Sequence, residues 1–145
     1  VAEFQIHKNI NVISYNKRHV PRVNKLFTKE EQRDLLKNFP DADKRAAMLE
    51  RLENGVSEDQ EAFAEQRLCE AMDKIEETLG ESVWLAGDQF SLADIAVAPF
   101  IERFEANGLD TLVDWSKRPK AGDWWQRVQA RPSYQTAYAF ENPNA

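Results

Sequence analysis

Five side chains near the start of the chain have the types and spacing of a small-molecule cleft: His7, Asn11, Ser14, Tyr15 and Arg18. With about 100° of turn per helical residue, His7, Asn11, Ser14 and Arg18 step by four, three and four along one edge of a helix. Phe4 and Tyr15 border that edge. An imidazole, an amide, a hydroxyl, a phenol and a fixed cation can together hydrogen-bond a ligand, hold an anionic group and stack on a flat ring. Ile6, Ile10 and Ile13 make a separate core stripe, and Gln5, Asn9 and Asn16 a third, solvated face. A mixed face of this kind also suits contact with a partner domain or subunit, and spacing alone leaves both readings open.

Elsewhere the residues that could do chemistry have structural explanations. Ser91 and Asp94 form an S-x-x-D capping box, with Phe90 and Ile95 as its hydrophobic staple, so catalysis is not needed to account for them. Cys69 adjoins the Leu68, Met72, Ile75 and Leu79 stripe of one helix, where a thiol without a base is inert. Trp124 shares a helix face with Val128, so the pair Trp124-Trp125 reads as core rather than as a stacking platform. There is no nucleotide-binding glycine motif, no H-E-x-x-H and no G-x-S-x-G elbow. Two histidines and one cysteine argue against a protein-only zinc site. The sequence therefore predicts no catalytic residue and no metal ligand in this chain.

The elements that must carry these residues read as helices. The first is expected from Val1 to about His19, closed by Pro21. Thr28-Lys29-Glu30-Glu31 opens a short helix that stops before Pro40, and Asp41 or Asp43 caps the next, which ends at Asn54-Gly55. Ser57-Glu58-Asp59-Gln60 opens the longest, about 58–79, with Gly80 as its left-handed cap. The 91–107 helix is apolar nearly all round its first half, which predicts the most buried position in a bundle, with a bend at Pro99. A helix from Pro119 to Arg131 and a short one carrying Tyr134 and Tyr138 complete an all-α bundle of about five to seven helices in one domain, residues 1–145. With 42% hydrophobic and 30% charged residues the chain can build a core, and no apolar run reaches the roughly 18 residues that span a bilayer. Val1-Ala2-Glu3-Phe4 lacks the features of a signal peptide, and a single cysteine suits a cytoplasmic protein. The net charge of −6 argues against nucleic acid and anionic membranes as partners, yet residues 1–27 carry +4 of their own.

Two stretches carry a family resemblance. Trp84-Leu85-Ala86-Gly87-Asp88-Gln89-Phe90-Ser91-Leu92-Ala93-Asp94-Ile95-Ala96 resembles the signature of the C-terminal, all-helical domain of glutathione transferases. Arg118-Pro119…Trp124…Arg127-Val128…Ala130-Arg131-Pro132-Ser133-Tyr134 resembles a later block of the same domain, in the same order and at a similar separation. The resemblance implies a bacterial-type member of open subclass, dehalogenating and lignin-ether-cleaving branches included. It implies that the group activating glutathione belongs to a thioredoxin-like N-terminal domain, absent from residues 1–145. The first helix would then wall the electrophile pocket, with His7, Asn11, Ser14, Tyr15 and Arg18 facing the acceptor. Glutathione as co-substrate, a small electrophile, a homodimer and an inactive isolated chain follow from the same resemblance. The alternative it leaves is a non-catalytic interaction module of the same fold, which an exposed apolar patch would favour.

Overall fold

The first helical rod is longer than its sequence signals suggest. In this computed structural model, which describes residues 3–106 and 108–139, it passes through a π-helical turn Glu3–His7, α1 (Lys8–Ser14), a second π-helical stretch Tyr15–His19 and α2 (Val20–Leu26). Pro21 does not close it. The wide ring in which the Val20 amide donates to the Tyr15 carbonyl resets the bonding register, and Pro21 falls in the first turn of α2, where a missing N–H costs little. Val1, Asn107 and the Phe4 side chain lie outside the described residues. The isoleucine stripe is as expected, with Ile6, Ile10 and Ile13 buried. The third face is not a solvated one. Asn9 is buried, its amide donating to the Gln5 carbonyl. Asn16 reaches the distant start of another helix: its Nδ2 donates to the Val56 carbonyl at 2.8 Å and to Glu61 Oε1 at 2.9 Å.

After the rod, α3 (Lys29–Lys37) and α4 (Ala42–Asn54) pack on each other as a hairpin. Thr28 and Glu31 close the expected capping box, Asp41 rather than Asp43 accepts from the Lys44 amide, and Gly55 ends α4 at φ +71°, a conformation costly for other residues. None of the residues of α2, α3 or α4 is buried. This hairpin is a lobe attached to the bundle, not part of its core.

The core forms where α5 (Glu58–Glu81) meets α1, α7 (Asp110–Val113) and α8 (Pro119–Gln129). Ser57 and Gln60 box its start, and Leu68, Met72, Ile75 and Leu79 are buried as the stripe requires. Gly80 does not cap it, because the helix runs on to Glu81. Ser82 ends it instead, its hydroxyl donating to the carbonyls of Thr78 and Trp84. Between α5 and α6 (Leu92–Ala106) the backbone pairs only through an isolated bridge, Trp84 to Gly87; no other β-pairing occurs among the described residues. The all-α class stands.

The position of α6 needs correction. Val97, Ala98, Ile101 and Phe104 are buried, but Leu92 is 81% and Ile95 52% exposed. Leu92, Ile95, Ala96 and Pro99 fall on one helical side and are exposed, with Ile95 and Pro99 bordering a cleft that Val128, Tyr134 and Tyr138 also line. A full apolar circumference reports what a helix can bury, and this bundle buries only one side of it. At the other end of the bundle, Arg118 of the second resemblance stretch forms a buried network that its spacing does not announce. Its guanidinium is buried and donates to Asp73 on α5 and to the carbonyls of Leu112 and Val113, while Glu76 accepts from the amides of Lys120 and Ala121 at the start of α8.

Candidate functional site

The long rod and the α3–α4 hairpin face each other across a groove of about 1040 Å³. Asn11, Ser14, Tyr15 and Arg18 line it from the rod side. Ser14 is buried and donates to the Ile10 carbonyl, so it shapes the wall more than it offers a free hydroxyl. Tyr15 stacks on His19 at 5.1 Å between ring centroids and carries the Arg51 guanidinium 5.3 Å above its face. Burial pushes the Tyr15 phenol above its ordinary pKa, against the opposing pull of Arg51, so at neutral pH it is an O–H donor. His7 departs from the group. It is exposed, with its ring 5.9 Å from that of Phe100 on α6, and it does not line the groove.

Half of the groove could not be read from the first helix. Leu35, Leu36, Met48 and Leu52 supply an apolar wall from the hairpin, and Arg103 reaches in from α6. The signal for that wall was present only as apolar positions on two helices that bury nothing else. The fold holds the two sides in register through Asn16, whose amide ties the rod to Val56 and Glu61 just beyond the hairpin.

Ser91 and Asp94 sit elsewhere and form a closed structural unit. The Asp94 carboxylate, 0% exposed, accepts from the Ser91 amide (2.8 Å) and hydroxyl (3.0 Å), the Leu85 amide (3.0 Å) and the Trp124 indole N–H (2.8 Å). Burial alone would raise its pKa, but these hydrogen bonds outweigh burial and hold it below its ordinary value. Every partner is spoken for, as a cap requires and a catalytic dyad does not. Spacing identified the cap; it did not foresee that Asp94 also fastens Trp124 of α8 and the Leu85 loop. Cys69 is half-buried against the core. Trp124 and Trp125 are both buried. Among the described residues no group of three or more His, Cys, Asp or Glu could hold a metal ion, and no helix is long and apolar enough to cross a membrane.

Comparison with known proteins bears on the whole arrangement. Residues 21–132 match the family model for the glutathione S-transferase C-terminal domain. The chain is 28% identical over 141 residues to the tetrachloro-p-hydroquinone reductive dehalogenase of Sphingobium chlorophenolicum, covering 92% of this chain and 56% of that protein. It is 38% identical over 55 residues to the glutathione S-transferase GstB of Escherichia coli strain K12, covering 38% of this chain and 24% of that one. In fold it is similar to the beta-etherase LigF of Sphingobium sp. strain SYK-6, with a TM-score of 0.72 at 22% identity over 91% of this chain and 55% of that one. The chain thus spans about half the length of the longest-matching relatives. The Asp94 unit joins the two stretches that carried the sequence resemblance, Trp84–Ala96 and Arg118–Tyr134, and the matched region contains the first and all but the last two residues of the second. The chain belongs to the glutathione S-transferase family, as its C-terminal, all-helical domain.

Proposed function

We propose that this chain is the electrophile-binding half of a glutathione transferase and that the groove beside the first rod receives the acceptor. The observation that carries the reading is the convergence of Asn11, Ser14, Tyr15 and Arg18 on one groove large enough for a small organic molecule. In this reading a thioredoxin-like domain supplies the glutathione thiolate as co-substrate, and the groove holds the acceptor at attack distance. Tyr15 donates to the leaving group or stacks on a ring, and Arg18 receives an anionic substituent. His7, exposed beside Phe100 and outside the groove, does not meet the acceptor in this reading. The 28% identical relative is named for action on a chlorinated hydroquinone, which makes a substituted aromatic acceptor the reading to test first.

The uncovered side of α6 fits the same scheme. Leu92 and Ile95 are exposed here on a helix whose composition suits burial all round, so the thioredoxin-like domain is proposed to cover them. A homodimer working in the cytoplasm completes the proposal, the latter supported by the lone cysteine. The exposed α6 face also supports a second reading, a non-catalytic interaction module that uses it to bind another protein.

The test is direct. This chain, given glutathione and a chlorinated nitrobenzene, is expected to form no conjugate, because in this reading the thioredoxin-like domain activates the glutathione thiol. Conjugation that disappears in Cys69→Ala would overturn that assignment. NMR shifts caused by an unreactive aromatic analogue are expected at Tyr15, Ser14 and Arg18. Shifts confined to Ile95 and Leu92 would transfer the binding to the α6 face and favour the interaction module.

A further inference from the structure

An asparagine followed by glycine has a side-chain amide open to attack by the next backbone nitrogen, because glycine puts no side chain beside that nitrogen. The pair occurs at Asn54-Gly55 and Asn107-Gly108, and every other asparagine is followed by a larger residue. Asn107 lies outside the described residues. Asn54 is the last residue of α4 and is exposed, and Gly55 follows it at φ +71°. Two contacts hold this pair in check. The Gly55 amide donates to the Arg51 carbonyl at 2.8 Å and closes the last turn of α4, so its nitrogen is engaged until that turn opens. Just beyond, Asn16 clamps the next residue: its Nδ2 donates to the Val56 carbonyl at 2.8 Å and its Oδ1 accepts from the Val56 amide at 3.3 Å. No residue of α4 is buried, so opening its last turn gives up little apolar burial.

We propose that Asn54 is a site of spontaneous deamidation, gated by the last turn of α4 and by the Asn16 clamp, whose products loosen the hairpin from the bundle. When the turn opens, the Gly55 nitrogen attacks Asn54 Cγ. The new N–Cγ bond forms, the Cγ–Nδ2 bond breaks, and the Gly55 amide proton leaves with Nδ2 as ammonia, giving a cyclic imide. Water then opens the ring, with no change of oxidation state. Opening at Cγ leaves an aspartate. Opening at the main-chain carbonyl leaves an isoaspartate, which adds a methylene to the backbone. Both products fit the site less well than asparagine. The aspartate sets a negative charge at the negative end of the α4 dipole, next to Glu53. The isoaspartate changes the backbone spacing that brings Val56 to Asn16. This chemistry is independent of what the groove binds.

The experiment stores this chain at mildly alkaline pH and follows Asn54 and Asn107 by peptide mapping, with isoaspartyl methyltransferase labelling to count isoaspartate. Asn54 is expected to convert in the folded chain, and about tenfold to a hundredfold faster in the same chain unfolded in urea. Folded Asn16→Ala is expected to convert several-fold faster than the folded wild type. Asn54→Gln is expected to lose the label at this site. The converted fraction, separated by its added negative charge, is expected to exchange the amides of residues 29–54 at least about twofold faster than the unconverted fraction. Conversion at Asn107 alone would overturn the site. Equal rates at Asn54 in the folded and the urea-unfolded chain would overturn the gate, and unchanged exchange in the converted fraction would overturn the loosening of the hairpin.

Discussion

The Asp94 unit and the groove are made of similar residue types and are built in opposite ways. Around Asp94 one carboxylate meets four donors, is fully enclosed, and joins α6, α8 and the Leu85 loop. Around Tyr15 five cations and an apolar wall border open space, and the helices that supply the wall bury none of their own residues. A buried polar cluster that satisfies itself specifies a fold, because every alternative packing leaves a donor or a charge without its partner. A cluster that borders open space and exposes apolar surface gains less for folding and can interact with a ligand. The bundle core thus concentrates its binding capacity inward, and the rod with its hairpin keeps its own outward.

The comparison breaks first at Asp94. Asp94→Ala strands the amides of Ser91 and Leu85 and the Trp124 indole in a buried site, and is expected to cost about 3–5 kcal/mol in denaturant unfolding. A loss below 1 kcal/mol would show that the unit does not hold the fold. The same carboxylate imposes a pH dependence whose sign is fixed. Its folded pKa lies below the ordinary aspartate value of 3.8, so the unfolded chain binds the proton first as pH falls. Its contribution is full above about pH 5 and fades as pH drops through 3.8 toward the folded value. Glu31, Glu53 and Asp114 also have lowered pKa values. The acid limb of Asp94→Asn is therefore expected to be shallower than that of the wild type, not flat, and an unchanged slope would exclude Asp94 as a contributor.

The tether between the two regions is the next largest effect. Asn16→Ala removes the bonds to Val56 and Glu61 and is expected to cost about 1–2 kcal/mol. The local effect is more telling. Amide exchange in residues 29–54 should quicken several-fold while that of α5 and α8 changes little, because the hairpin has no buried residues of its own to hold it. Uniform acceleration across the chain would mean that the hairpin and the bundle open together.

What the sequence discloses divides along the same line. Caps are local, so Thr28 with Glu31, Ser57 with Gln60 and Ser91 with Asp94 were legible from spacings of three. The i, i+3, i+4 stripes of the first rod and of α5 were legible for the same reason. Contacts made across many residues were not. Nothing near Asn16 announces Val56, and nothing near Asp94 announces Trp124, thirty residues on. Pro21 misled because its breaking power assumes an unbroken α register, and the π-helical stretch before it changes that register. Ile95 misled because apolar composition does not say which neighbour is to cover it. For the groove, the rod wall was visible as a face, while the opposing wall depended on how α3 and α4 fold back.

The smallest effect on folding belongs to the groove, and there the contrast sharpens. Tyr15→Phe and Arg18→Ala remove polar groups that border open space, so unfolding free energy is expected to move by no more than about 0.5 kcal/mol. Ligand affinity is a different matter. Tyr15 keeps its proton well past neutrality, and a hydrogen bond from it to an acceptor substituent is worth about 1 kcal/mol, or a roughly fivefold weaker Kd in Tyr15→Phe. Arg18→Ala should weaken an anionic ligand more than a neutral one, since a charge-assisted bond is worth about twice a neutral one. In a parent enzyme both would appear as raised KM, with kcat falling only if the phenol also meets the leaving group. If instead both variants lose about 2 kcal/mol of stability and bind ligands as before, the rod's polar edge is part of the scaffold, and the two regions are not the opposites their partners make them.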